Sequence, residues 1–222
     1  MKRMMSTIVL CLTSSLPLIA NADDGNLNSS LRGDYAFSGD ASCVTSQSSQ
    51  GIPAFFAIYP SYAHSFSVEG VILFNGDGTG TVSGRDISIN NGNNGASIGP
   101  VTLGTFTADL TYTVASDHSI HIDHGPFTTI QTVGPNPGIT EVWIGFSMDG
   151  HVSQHFNTLT VATAAPNPLQ PALTLEYGHY TINPTGPLPP DETRACHRSS
   201  VLVKIDGGPR PAAPQTMSPL SH

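Results

Sequence analysis

The sequence predicts an all-β protein: one antiparallel up-and-down barrel of about eight or more strands, with long loops and a disordered Pro-rich C-terminal tail. Three observations predict it. Apolar and polar residues alternate with period two in stretch after stretch. Gly, Asn and Asp cluster between those stretches, where tight hairpins need positive φ. Charged residues make up only 11% of the chain, too few for long solvated helices.

Residues 1–22 resemble an export signal. Lys2 and Arg3 precede an apolar run through Ile8, Leu10, Leu16 and Ile19, and Ala20-Asn21-Ala22 offers a small-x-small cleavage site. The run is too short, and too interrupted by Ser and Thr, to span a membrane. It places the protein in a bacterial periplasm or outside the cell. Residues 23–206 then form the barrel and 207–222 the tail. Removing 1–22 takes away Lys2 and Arg3 and no acid, so the formal charge moves from −8 to −10. That sign opposes nucleic acid as a partner.

The first strand is read from Leu31, Gly33, Tyr35 and Phe37 alternating with polar neighbours. A long connection, 39–63, follows. Phe66, Val68, Gly70, Ile72 and Phe74 form the next inward face, and Asn75-Gly76-Asp77-Gly78 turns the chain into a strand at 79–89. A second long connection, 90–103, is rich in Asn and Gly. The clearest strand is 104–114: Phe106, Ala108, Leu110, Tyr112 and Val114 share one face, with Thr and Asp on the other. One buried and one wetted face is the mark of an antiparallel sheet. Ser116-Asp117-His118 makes the next turn, before strands at 119–123 and 127–132. Val142, Ile144, Phe146 and Met148 read as one inward face, with a turn at Asp149-Gly150. Weaker strands are read at 151–161 and 172–181, then a Pro-rich connection at 182–195. Val201, Val203 and Ile205 mark the last strand.

Cys43 follows the first strand and Cys196 precedes the last. Removal of residues 1–22 takes away Cys11 and leaves these two, and an even count in an oxidising compartment predicts a disulfide. In a closed barrel first and last strands are neighbours, so the bond would staple the seam.

No motif carries a specific chemistry. FNGDGTGTVSGRD, residues 74–86, matches a calcium loop only loosely, because strands rather than helices flank it and Asp86 lies far along the second. It is not GxGxxG and no helix follows, so phosphate is no better served. In DHSIHIDHG, residues 117–125, strand geometry sends His121 and Asp123 to one face and His118 and His124 to the other, so no metal trio converges. GFSMDG, residues 145–150, misses the nucleophile elbow by a displaced Gly. No catalytic residue, metal ligand or cofactor site is assigned.

The stretches LRGDYAFSG, VEGVILFNGDGTGTVSGRD and TFTADLTYTVASDHSIHID resemble a largely uncharacterised class of exported bacterial β-proteins. In shape these are similar to lipocalin-like and allene oxide cyclase-like barrels. The resemblance implies a calycin-like barrel; its motifs are strand-and-turn chemistry and are unspecific for activity. It carries over no catalytic residue, and Gly33-Asp34-Tyr35 stands where a lipocalin has GxW.

The functional expectation is a non-enzymatic exported barrel that binds a small apolar ligand or serves a surface-associated role. Inward aromatics would hold the ligand: Tyr35, Phe37, Phe66, Phe106 and Tyr112, with Phe55, Phe56 and Tyr59 at the mouth. A filled core with no cavity is the competing reading of the same aromatics. The alternatives are a cyclase- or isomerase-like enzyme working in the cavity, and a scaffold that uses its outer Ser/Thr-rich face. A convergent His, Asp or Glu inside the barrel would favour the enzyme.

Overall fold

The computed structural model describes residues 25–46, 61–90, 101–164 and 174–205. Residues 1–22, the aromatics Phe55, Phe56 and Tyr59, most of the 90–103 connection and the 207–222 tail lie outside the described residues.

Strands dominate: β1 (Arg32–Ser46), β2 (Ser61–Asn75), β3 (Thr79–Asn90), β4 (Val101–Val114), β5 (Ser119–His124), β6 (Phe127–Val133), β7 (Thr140–Ile144), β8 (Ser147–Val152), β9 (Thr158–Thr163), β10 (Thr174–Ile182) and β11 (Glu192–Lys204). Their pairings are all antiparallel, and β1 pairs with β11, so the sheet closes on itself.

The eleven strands occupy eight positions around the barrel. Five strands, β1 to β4 and β11, run its full height. The other three positions are each filled by two shorter strands in succession. Near one end the ring runs β1-β2-β3-β4-β5-β8-β9-β11, and near the other β1-β2-β3-β4-β6-β7-β10-β11. We call these the packed half and the cavity half.

At the two breaks that lie within the described residues, β5 to β6 and β7 to β8, the inward parity shifts by one residue. Ile120, Ile122 and His124 face inward on β5, but Phe127, Thr129 and Gln131 do so on β6. Pro126, which has no N–H to give a ladder, sits at that break. Glu141 and Trp143 face inward on β7, then Phe146 and Met148 beyond the break. Gly145 makes that break with φ +92°, and a Cβ there would lie 2.4 Å from the Leu175 carbonyl oxygen. Only glycine fits both demands. The predicted face Val142-Ile144-Phe146-Met148 is therefore split. Val142 and Ile144 point outward, and the last is 45% exposed.

The last strand is also inverted relative to expectation. Val201 and Val203 are half exposed, while Leu202 is fully buried and Arg194, Cys196 and Arg198 turn inward. Other boundaries differ as well: β4 starts at Val101 and β11 at Glu192, so Cys196 lies inside the last strand rather than before it. Asp149-Gly150 lies inside β8, and the hairpin turn falls at Ser153–Asn157, where Ser153 Oγ accepts from the Asn157 and Thr158 amides. The connection predicted at 39–63 is shorter, because β1 runs on to Ser46 and β2 starts at Ser61. Ala41, Cys43 and Thr45 are the inward residues of that extension, too small to announce a strand by hydrophobicity.

The packed half holds the apolar core. Tyr35, Phe74, Val114, Leu159 and Leu202 are fully buried there. Each such side chain contributes roughly 1.5–3 kcal/mol by leaving water. Phe74 meets Tyr35 and Tyr112 edge-to-face at 5.3 and 4.8 Å. Residues preceding β1 close this end. A short 3₁₀ turn, Asn28–Ser30, is held by Asn28 Oδ1 accepting from the Val114 amide at 2.7 Å, and Leu31 is fully buried behind it.

Candidate functional site

A cavity of about 250 Å³ occupies the other half. Its floor is apolar: Phe37, Ile72, Phe106, Ile122, Phe127, Phe146 and Met148. Its walls are polar and charged. β3 supplies Asp86, β7 Glu141 and Trp143, β10 Glu176 and Tyr180, β11 Glu192, Arg194 and Arg198, and β2 Tyr62 and His64.

The wall is organised around Glu176, which is 1% exposed. Arg194 lies directly across the β10–β11 ladder from it and donates from Nε to Oε2 at 2.6 Å. Arg198 donates through Nη2 to Oε2 at 2.9 Å, and through Nη1 to Oε1. Thr174 adds a hydroxyl at 3.0 Å. Burial pushes the Glu176 carboxyl up, but the two guanidiniums outweigh it and hold the group below its usual value. Both guanidiniums also lie against aromatic faces: Arg194 is 3.6 Å from the Trp143 ring centroid and Arg198 4.5 Å from that of Phe146. Trp143 is pressed against Gly178, where a Cβ would come within 2.6 Å of the indole.

Three other carboxyls face the cavity on different terms. Glu141 accepts from the Trp143 indole N–H at 2.8 Å, and burial pushes its carboxyl upward. Glu192 accepts from the Tyr62 hydroxyl at 3.2 Å; burial, then the neighbouring Glu141 charge, raises it to about 7. Asp86 lies across from Gly104 on β4, so close that a Cβ on Gly104 would sit 2.5 Å from Asp86 Oδ1. Burial and Glu141 raise Asp86 to about 6, and its Oδ1 is sealed from solvent with no hydrogen-bond partner.

Two histidines complete the lining. His64 Nε2 is 2.8 Å from Thr45 Oγ1, and His124 stacks on Phe146 with centroids 4.3 Å apart. Burial, then the nearby guanidiniums, lowers each to about 3, so both are neutral at pH 7.

Cys43 and Cys196 are disulfide-bonded with Cα atoms 4.2 Å apart, and both are buried. They stand opposite each other across the β1–β11 seam.

Of the aromatics named from the sequence, Phe37, Phe66 and Phe106 line the cavity. Tyr35 and Tyr112 do not; they belong to the packed half. The Tyr35 hydroxyl donates to the Phe156 carbonyl, and burial pushes it up to about 12. The Tyr112 hydroxyl donates to the Leu31 carbonyl at 2.8 Å and accepts from the Gly76 amide at 2.9 Å. Both are spent on closing the barrel end. In the 74–86 stretch, Asp77 Oδ1 accepts from the Thr79 amide at 2.9 Å as a hairpin turn, while Asp86 points into the cavity. In the histidine stretch, His121 lies outside between Asp149 at 2.6 Å and Asp123 at 3.2 Å, whereas His124 turns inward.

The charged wall escaped the sequence reading, although one signal for it was present. Cys43 has the parity of Tyr35 and Phe37, so it faces inward. Its partner Cys196 must then face inward too, and with it Arg194 and Arg198, two residues to either side.

Comparison of the chain with known protein families, with curated proteins and with solved structures finds no match in any of the three.

Proposed function

We propose that the protein is an exported, non-enzymatic barrel that takes one small amphipathic molecule into its cavity. The observation that carries this reading is the contrast inside one barrel: half is filled with side chains, and half encloses about 250 Å³. Ligand sites of roughly 300–1,000 Å³ are typical, so the molecule is small. The floor of Phe37, Phe106, Phe127 and Phe146 receives its apolar part, and the charged wall receives a polar head. That wall adds a polar head to the largely apolar ligand expected from the sequence. Export is supported by the signal-like character of residues 1–22 and by the Cys43–Cys196 bond, which persists in oxidising compartments.

Glu192 and Asp86 support a second reading, a cyclase- or isomerase-like activity. Carboxyls poised at about 7 and about 6 inside a cavity have the values that general acid–base work requires.

Native mass spectrometry of protein purified from its own host tests these readings. A retained organic molecule, released unchanged after incubation, is the expected result. Its conversion would favour the enzyme. A chain of bare mass that takes up no added amphiphile would overturn both and leave the scaffold alternative.

A further inference from the structure

We infer that the cavity selects a molecule in which a protonated amine is joined to an apolar body. The inference rests on the ligand-binding reading and adds the chemical class of the ligand.

The charges inside decide it. The wall carries four inward carboxyls, on Asp86, Glu141, Glu176 and Glu192, against the guanidiniums of Arg194 and Arg198; Asp40 also borders the cavity but is exposed and accepts from the Ser67 hydroxyl. Both guanidiniums are committed to Glu176 and lie over Trp143 and Phe146. Among the described residues, Asp86, Glu141 and Glu192 form no ion pair with any cation. Glu141 and Glu192 have neutral donors, an indole and a phenol. Asp86 Oδ1 has none, although it is buried, and a buried acceptor left without a donor destabilises the fold until one reaches it.

Each ligand class meets this wall differently. An anion would face three carboxyls, with both guanidiniums already engaged. A neutral amphiphile gains the aromatic floor but leaves the acid excess unanswered. A bare divalent ion needs several oxygens converging at one point, and no group of three or more ligating side chains converges among the described residues. An ammonium supplies up to three N–H donors and a diffuse positive charge. It suits carboxyls spread over β3, β7 and β11, with an aromatic floor beside them for the attached apolar chain. Burial has pushed those carboxyls toward neutrality, and a bound cation would draw them back to the ionised form.

Trp143 is the single tryptophan of the chain and lines the cavity, so its fluorescence reports occupancy. Full-length protein would be titrated at neutral pH with n-hexylamine, 1-hexanol and hexanoate, which share one chain length and differ in head group. Hexylamine should bind saturably, about tenfold or more tighter than hexanol, since a charge-assisted contact is worth roughly 1.5–3 kcal/mol. Hexanoate should bind weakest. Asp86→Asn should weaken hexylamine about tenfold and leave hexanol within about twofold, because the amide keeps the shape and removes the charge. Should that variant not fold, Glu192→Gln carries the same test. Hexanol or hexanoate binding as tightly as hexylamine would overturn the amine inference and leave the ligand-binding reading standing. Binding of none of the three would overturn both.

Discussion

In the half of the barrel closed by β5, β8 and β9, the inside is aromatic and aliphatic and the outside is largely Thr, Asp and His. In the half closed by β6, β7 and β10, the inside carries Asp, Glu, Arg and His, while Ile87, Ile130 and Ile144 stand exposed outside. Among the described strand residues, the exposed large apolar side chains belong to the cavity half, apart from Val201 and Val203. One sheet thus carries two opposite polarities along its height. The packed half is held by apolar burial. The cavity half is held by a disulfide and by one carboxylate shared between two guanidiniums, an arrangement that leaves room inside. Packing fills space and paired charges do not, so the cavity lies where the charges are.

The comparison can be broken by cutting each half where its cohesion lies. In the packed half, Phe74→Ala should destabilise the protein by roughly 3–5 kcal/mol, read as a lower denaturant midpoint with an unchanged slope. In the cavity half, Glu176→Ala should cost about as much, roughly 3–5 kcal/mol, because two buried guanidiniums lose their partner. The combined change Glu176→Leu, Arg194→Met and Arg198→Met should cost far less than Glu176→Ala alone, since it removes charge and partner together. A triple variant weaker than the single would refute the charge clamp as the organising contact.

The joint between the halves comes next. Gly145→Ala places a Cβ at φ +92° and 2.4 Å from the Leu175 carbonyl oxygen. It should cost at least about 1–3 kcal/mol and shift Trp143 emission, because the kink sets how the indole enters the cavity. An unshifted spectrum and unchanged melting would mean that the kink does not set the parity of β7.

A smaller effect is the response to pH. Glu192 and Asp86 are raised to about 7 and about 6 in the fold. The folded chain therefore keeps protons that the unfolded chain has released above roughly pH 4, so these groups erode stability as pH rises through that window. His64 and His124, lowered to about 3, act in the other direction. The unfolded chain protonates them below roughly pH 6.5, so stability falls as pH drops from there. In wild type the two trends oppose. The double variant Asp86→Asn, Glu192→Gln removes these two carboxyls from the opposing trend, so its denaturant midpoint should climb more steeply than wild type between about pH 5 and 7. Equal slopes would mean the two carboxyls are solvated. Smallest of all, Ile87→Thr on the exposed outer face should change stability by no more than about 0.5 kcal/mol. A larger loss would mean that this face is covered.

How far the site was legible follows the same division. In the packed half, the face from Phe106 to Val114 was readable because apolar residues inside and polar residues outside give the expected alternation. In the cavity half the rule ran backwards. Val142, Ile144, Val201 and Val203 read as core because they are apolar, yet they lie outside. Glu141, Trp143, Arg194 and Arg198, read as surface or not read at all, line the cavity. Hydrophobicity predicts the inward face only where the inside is dry and full.

By itself the sequence determined the fold class, the turns at 75–78 and 116–118, and the pairing of Cys43 with Cys196. These depend on local backbone preference and on a period of two that each segment carries alone. Tertiary structure decided which parity faces inward on the interrupted strands. It also decided that Asp86, Glu141, Glu176 and Glu192 meet around one space, because their segments are far apart in the chain. Only ring closure brings them together, after one-residue shifts such as that at Gly145 have reversed the faces.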